Sequence, residues 1–192
     1  MEGTETHRRW LQRATVYAIS MTLAGAATGV AFAAGGAGVA ALWADLTLPL
    51  AAALGAIALA FALHELGFLS LPIPGRDWQV PAEWVRRGFY RSGAVFGGIV
   101  GFGVFTRVPY ATLPIFLAWL FVSGNILYGA IAGLVYGGTR ALSIYSSTST
   151  RDASELVGLN QRLMGLIPLQ HQIAGLALAA FAAYLLAAPF LP

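Results

Sequence analysis

The 192-residue chain contains no cysteine and no lysine, and only 10% of its residues are charged. Without cysteine, the chain itself can form no disulfide, thiolate metal site or dithiol redox relay. Soluble domains carry about 25% charged residues, whereas this chain is 58% hydrophobic with a mean hydropathy of +0.72. We therefore expect a polytopic membrane protein whose residues 1–192 form a single membrane domain in the lipid bilayer. The net charge of +3 does not indicate a nucleic-acid partner, because basic residues in membrane proteins mainly record orientation.

Five apolar stretches are long enough to cross the hydrocarbon core, which takes about 17–25 helical residues. The predicted spans cover approximately 14–42, 46–69, 91–122, 126–142 and 163–190. The third span contains Pro109 and Pro114. A proline inside a helix removes a backbone hydrogen bond and clashes with the preceding turn. We therefore predict an all-α bundle of about five transmembrane helices, in which the third helix is broken near residues 106–110.

The arginines predict the orientation of these spans, because cytoplasmic loops of membrane proteins carry an excess of basic residues. If the N-terminus lies inside, the inner segments hold every arginine except Arg107. These are Arg8, Arg9, Arg13, Arg76, Arg86, Arg87, Arg91, Arg140, Arg151 and Arg162. We expect a multi-pass protein of the inner (cell) membrane, with a cytoplasmic N-terminus and a C-terminus outside.

Arg107 lies within the broken third span, about 24 Å along the helix from Arg91 if the rise is 1.5 Å per residue. A charge at such depth is costly and normally faces the bundle interior or water. In one interpretation it belongs to a substrate-binding or gating site suited to a small anionic solute. That site would consist of Thr106, Arg107, Pro109, Tyr110 and Pro114. In the other, Arg107 reaches the outer interface or binds carbonyls freed by Pro109. Asp45 is its expected acidic partner in the outer half.

A second polar group falls in the inner third of the predicted bundle. Glu65 and His64 lie near the end of the second span, and His171 lies in the fifth. An ionisable residue inside a span suggests function, and a Glu65–His171 pair could hold or relay a proton. Alternatively, Glu65 lies close enough to Ser70 to reach water or to pair with an inner arginine, and the sequence favours this second interpretation.

The sequence offers no metal site, because three histidines on separate elements do not form the cluster that a catalytic zinc requires. It also contains no acid–base carboxylate pair, nucleophile elbow or phosphate-binding loop. We therefore expect no cofactor and do not favour an enzyme.

Glycines recur at intervals of four in three predicted spans, and this spacing places them on one helix face. They are Gly25 and Gly29; Gly93, Gly97 and Gly101; and Gly129, Gly133 and Gly137. Small residues on one face allow two helix backbones to approach closely. The pattern favours close packing inside one bundle over a dimer face.

The stretch from Gly101 to Pro114, GFGVFTRVPYATLP, resembles the CcdA/DsbD-type membrane thiol–disulfide transporters of cytochrome c biogenesis. In that family a helix rich in glycine and phenylalanine ends at a kink of the form Gly-Trp-Thr-Pro-Cys-x-x-Pro. Here Thr106 and Pro109 stand for Thr-Pro, Tyr110 takes the place of the cysteine, and Pro114 corresponds to the later proline. The resemblance covers roughly residues 46–140.

This resemblance implies a transporter architecture without its dithiol chemistry, in a cysteine-free relative with five spans instead of the family's usual six. We therefore expect the protein to move or sense a small solute at the broken helix. The alternative is a non-catalytic membrane subunit, which would bind a membrane or redox partner through its glycine faces and the loop at residues 76–91.

Overall fold

A computed structural model of the chain describes residues 2–73, 81–85, 88–103, 110–145, 158 and 161–188. Within these ranges the chain forms helices and no strand, which confirms the predicted all-α class. The α-helices are α1 (Glu2–Leu42), α2 (Thr47–Glu65), α3 (Ala82–Val85), α4 (Phe89–Phe102), α5 (Thr112–Ser123), α6 (Ile126–Leu142) and α7 (Ile167–Ala187).

Three helices of the described chain are long and apolar enough to cross a membrane. They cover Arg8–Leu42 in α1, Leu48–Glu65 in α2 and Ile167–Ala187 in α7. These helices coincide with the predicted first, second and fifth spans, although α1 also includes the polar leader before residue 14. The apolar helix α5 is shorter, with 12 residues.

The predicted third span consists of two separate helices. Helix α4 ends at Phe102, and Gly103 follows it with a φ of 68°, a conformation that glycine adopts without the steric cost of a side chain. Helix α5 begins at Thr112. Pro114 lies in the first turn of α5, where a backbone N–H would have no partner within the helix anyway. Residues 104–109 lie outside the described residues, and Thr106, Arg107 and Pro109 are among them.

The helices belong to two compact units, each assembled from three separate stretches of sequence. The first unit comprises residues 1–31, 75–107 and 127–151, and the second comprises 32–74, 108–126 and 152–192. Helix α1 contributes its first part to one unit and its last part to the other.

In the first unit, α4 packs against α1 through its glycines. A Cβ added at Gly97 would lie 2.3 Å from the backbone oxygen of Tyr17, and one at Gly101 would lie 2.4 Å from that of Met21. Glycine is therefore required for this contact, as its spacing of four predicts. Because the residue numbers of both helices rise together along the contact, α4 runs parallel to α1.

Helix α6 packs against α1 in the same manner but in the opposite direction. A Cβ at Gly133 would lie 2.3 Å from the backbone oxygen of Gly25, and one at Gly137 would lie 2.6 Å from that of Met21. The numbers on α6 rise as those on α1 fall, so the two helices are antiparallel. The glycine faces of α4 and α6 are therefore occupied inside this unit.

In the second unit, α2, α5 and α7 enclose a small apolar core rich in alanine. Its buried members are Leu54, Ala58, Ala62, Ala111, Ile115, Leu178, Ala182 and Leu185. Gly55 packs against Leu185 and Leu186, while Gly175 packs against Leu66 and the carbonyl of Ala62, so α7 is antiparallel to α2.

Helix α5 also runs antiparallel to α2. Its start lies against the end of α2, because the N–H of Ala111 bonds to the side chain of Glu65. Its end lies against the last part of α1, which leads into the start of α2: a Cβ at Gly36 would meet the carbonyl oxygen of Phe121 at 1.6 Å. Gly124 ends α5 in the left-handed conformation, with a φ of 58°.

Neighbouring glycines of α4 provide a matched test of the packing. We expect Gly97→Ala to lower the thermal unfolding temperature in detergent, because its methyl group would collide with the backbone of α1. Gly98 has no atom within 4 Å of such a methyl group. Gly98→Ala should leave the unfolding temperature unchanged or raise it, since alanine favours a helix over glycine by about 1 kcal/mol. Equal unfolding temperatures for the two variants, measured by circular dichroism, would contradict this packing.

Candidate functional site

Glu65 is a buried carboxyl group at the last residue of α2, and its side chain has 0% exposure. It follows Leu54, Ala58 and Ala62 at intervals of 11, 7 and 3 residues, which lie on one face of a helix. That face forms the core of the second unit. The helical period therefore directs the carboxyl group into the protein.

One carboxyl oxygen of Glu65 accepts a hydrogen bond from the start of α5. The N–H of Ala111 donates to Oε1 at 2.6 Å. Ala111 occupies the N-cap position of α5, and its methyl side chain cannot satisfy the unpaired N–H groups of a helix start. The Glu65 carboxyl group provides that cap from α2, and a negative charge there also interacts favourably with the helix dipole.

The other oxygen of Glu65 contacts His171 in the second turn of α7. Its Oε2 lies 2.5 Å from Nδ1 of the imidazole. At this distance one hydrogen lies between the two atoms, on Nδ1 if Glu65 is a carboxylate or on Oε2 if it is a carboxylic acid. The imidazole is 36% exposed, whereas the carboxyl group is 0% exposed. The pair thus joins a buried group to a partly exposed one.

Tyr110 and Gln170 extend this cluster. The Tyr110 ring meets the His171 ring edge-on, with centroids 4.9 Å apart and an interplanar angle of 63°. Its hydroxyl donates a hydrogen bond to Oε1 of Gln170. Residues 110–111, which precede α5, are therefore attached to both α2 and α7. We call these residues the Glu65–His171 cluster: Glu65, Tyr110, Ala111, Gln170 and His171.

His64 is not brought into this cluster, although the sequence groups it with Glu65 and His171. Consecutive residues on a helix point about 100° apart. The Nδ1 of His64 accepts a hydrogen bond from the N–H of Leu71 at 3.0 Å, and its ring meets Phe61 edge-on. His64 therefore stabilises the chain that follows α2.

The sequence left two interpretations of Glu65: a pair with His171, or contact with water or an inner arginine. In the structure Glu65 contacts His171. The favoured alternative, in which Glu65 reaches water or an inner arginine, does not correspond to a carboxyl group with no exposed surface. Tyr110 and Pro114 from the predicted broken-helix site lie at and near the start of α5. Thr106, Arg107 and Pro109 are outside the described residues, and with Arg107 the predicted pair of Asp45 and Arg107.

The end of α4, in the first unit, is also bound by polar side chains. Arg140 of α6 donates from Nη1 to the carbonyl oxygen of Val100 at 3.4 Å and to the hydroxyl of Tyr136 at 2.6 Å. The hydroxyl of Thr28 lies 3.4 Å from the carbonyl oxygen of Phe102. Positive charge near a helix C-terminus is favourable. These contacts add to the backbone hydrogen bond that the Val100 carbonyl already accepts from the N–H of Gly103 at 3.2 Å.

Sequence reasoning missed Gln170, Arg140 and Ala111. Gln170 had a signal, because Gln170 and His171 are consecutive polar residues within an apolar run. Arg140 follows Tyr136 by four residues at the end of a span, a spacing that places both on one helix face. Ala111 contributes only its backbone N–H, which every residue except proline has, and so it left no signal.

The cluster contains hydrogen-bonding and ionisable groups but no metal-binding set. Across the described ranges, no three histidine, cysteine or acidic side chains come together where they could hold a metal ion. The chemistry available to Glu65 and His171 is proton binding and proton exchange.

The fold and site together are typical of a membrane protein: three helices have spanning length and hydropathy, and a buried carboxyl group caps an apolar helix. No protein family's sequence profile matches the chain. Among curated proteins, it is similar to the methylamine utilization protein MauF of Methylophilus methylotrophus, at 32% identity over 107 residues. That alignment covers 54% of this chain and 37% of MauF, so the chain spans well under two thirds of its relative. No solved structure matches.

Removing the Glu65 side chain should destabilise the protein. We expect Glu65→Ala to cost about 1–3 kcal/mol, because it leaves the buried N–H of Ala111 without an acceptor. Glu65→Gln should cost less, since its amide oxygen can still accept that hydrogen bond. Unfolding in detergent, followed by circular dichroism, measures both.

Glu83 provides the control, because it is an exposed acidic residue on the short helix α3. Glu83→Ala should change stability by less than about 0.5 kcal/mol. A Glu65→Ala protein as stable as the Glu83→Ala protein would contradict the capping role.

Proposed function

We propose that this chain is a five-span integral membrane protein of transporter type, which moves or senses a small solute at the break between α4 and α5. The observation that carries the proposal is the Glu65 carboxyl group, which is buried and bonded to the first N–H of α5. Ionisable groups inside membrane spans are costly and mark substrate or ion pathways. Half-helices with polar groups at their ends are typical of transporter sites.

Helix directions within each unit support five spans rather than six. In five alternating spans, the first and fourth run in opposite directions, and α6 is antiparallel to α1. If α4 and α5 were two full spans, α6 would be the fifth span and parallel to α1. The five-span arrangement also requires α4 parallel to α1 and α5 antiparallel to α2, which are the directions found within the two units. The five-span proposal therefore counts α4 and α5 together as the third span.

The arginine distribution supports a cytoplasmic N-terminus, and the absence of native cysteine makes this orientation directly testable. Asn125 and Ser143 flank α6 and are both exposed. We expect a membrane-impermeant maleimide to label Asn125→Cys in intact cells and Ser143→Cys only after permeabilisation. The unsubstituted protein should remain unlabelled, and the reverse pattern would contradict the proposed orientation.

The solute site combines described and undescribed residues. Tyr110 and Pro114 lie at the start of α5, and the sequence places Thr106, Arg107 and Pro109 immediately before them. Arg107 suits a small anion or carboxylate because its guanidinium group binds carboxylates through two parallel hydrogen bonds. The resemblance to CcdA/DsbD-type transporters supports a joint at this point, while the lack of cysteine excludes their dithiol exchange.

The alternative function, a non-catalytic subunit that binds a membrane or redox partner, has less support. It assigns the partner surface to the glycine faces of the spans. Gly97, Gly101, Gly133 and Gly137 are instead in close contact with α1. The other part of that surface is the loop at residues 76–91, of which residues 76–80 and 86–87 lie outside the described residues.

Uptake into proteoliposomes tests the transporter proposal. Radiolabelled acetate serves as the small carboxylate, and methylammonium serves as a comparison because the relative's name refers to methylamine utilization. We expect uptake of acetate that Arg107→Ala abolishes while protein yield and unfolding temperature remain unchanged. Arg151→Ala, in the polar stretch of sequence before α7, is the matched control and should transport normally. Uptake unchanged by Arg107→Ala would contradict the proposed site.

A further inference from the structure

The Glu65–His171 pair has an unusual combination of burial and access. The carboxyl group has 0% exposure, so a hydrated cation or an organic solute cannot reach it in this conformation. The imidazole that contacts it is 36% exposed. A proton is the ligand that can still reach Glu65, because an imidazole accepts a hydrogen at one ring nitrogen and gives up another from the opposite one.

We propose that Glu65 is a proton-binding site that is loaded through His171. In the unloaded state Glu65 is a carboxylate, and the neutral His171 carries its hydrogen on Nδ1. Nε2 of His171 then takes a proton from a hydronium ion, which leaves as water, and the hydrogen on Nδ1 passes to Oε2 of Glu65, 2.5 Å away. The loaded state contains a neutral carboxylic acid and a neutral imidazole with its hydrogen on Nε2. One proton is gained, and the charge of the pair changes from −1 to zero.

Loading weakens the cap on α5. In the unloaded state the N–H of Ala111 donates to a charged carboxylate, and such hydrogen bonds are about twice as strong as those between neutral groups. The neutral acid also loses its attraction for the positive end of the α5 dipole. Proton binding is therefore coupled to the start of α5, where Tyr110 and Pro114 of the proposed solute site lie.

In the part of the chain that the structure describes, titratable groups lie near the pair on the three elements packed around it. At the start of α5 the facing group is Tyr110, whose ring contacts His171 and whose hydroxyl bonds to Gln170. His64 is next to Glu65 on α2 but accepts a hydrogen bond from the N–H of Leu71. Among the described residues of α7, His171 itself is the contact with Glu65.

The biological role of this proton site rests on the proposed transporter function, but the test of proton binding does not require transport. Infrared difference spectra of the lipid-reconstituted protein, recorded between two pH values, reveal a protonated carboxyl group by its C=O stretch, which shifts in heavy water. We expect such a band in the wild type and in Glu83→Gln, and its loss in Glu65→Gln. Glu65→Asp retains a carboxyl group in case Glu65→Gln does not fold, and its band should move in frequency.

His171→Asn separates the relay from the binding site. Its amide keeps a polar partner for Oε2 but cannot transfer a proton between two ring nitrogens. We expect the Glu65 band to remain, while its hydrogen–deuterium exchange becomes about 100-fold slower, the lower range for a positioned acid–base group. An exchange rate equal to that of the wild type would overturn the role of His171.

The outcomes distinguish this inference from the proposed function. A wild-type spectrum without the band, or a band unchanged in both Glu65→Gln and Glu65→Asp, overturns the proton site even if Arg107-dependent acetate uptake is found. A Glu65 band with slowed exchange in His171→Asn supports the proton site even if no uptake is measured. In that case the transporter proposal alone fails.

Discussion

The hydrogen bond from Ala111 to the Glu65 carboxyl group is the interaction on which the second unit depends. A helix that starts inside an apolar environment exposes N–H groups that water cannot satisfy. Helix α5 starts in this way, and its own N-cap residue is an alanine. The Glu65 carboxyl group of α2 accepts a hydrogen bond from one of these N–H groups. The buried carboxyl group needs a polar partner itself, and His171 of α7 is that partner. The start of α5 thus links three helices around one side chain.

The end of α4 also binds polar side chains, here through its carbonyl groups instead of N–H groups. Arg140 and the hydroxyl of Thr28 approach those carbonyls from α6 and α1. A carboxyl group at a helix start and a guanidinium group at a helix end each match the local sign of the helix dipole. Both charged groups therefore stabilise a helix end. For Glu65 this role is compatible with proton binding, because the hydrogen bond from Ala111 stabilises α5 and weakens when Glu65 is protonated.

Sequence patterns predicted much of the fold because membrane helices follow from local composition. Helix α6 covers the same residues as the predicted fourth span, and the predicted third span contains two helices, α4 and α5, instead of one. Glycine spacing predicted the close contacts of α4 and α6, because a helix face of small residues lets a neighbouring backbone approach closely. The candidate site was harder to predict. Glu65 and His171 are 106 residues apart in the chain, and the intervening sequence contains no feature that specifies their contact.

The sequence by itself predicted the class of the chain, the approximate positions of the apolar helices and a break in the third apolar stretch near residues 106–110, because hydropathy, glycine spacing and proline act within a few turns of the backbone. Only the tertiary structure decided which charged side chains satisfy the ends of that break. Glu65 lies on the core face of α2 and bonds to the start of α5. His64 is one helical step away, about 100° around the helix, and therefore meets Leu71 instead. Nothing in the local sequence distinguishes Glu65 from His64. The packing of α2 against α5 and α7 determines which of the two faces the core.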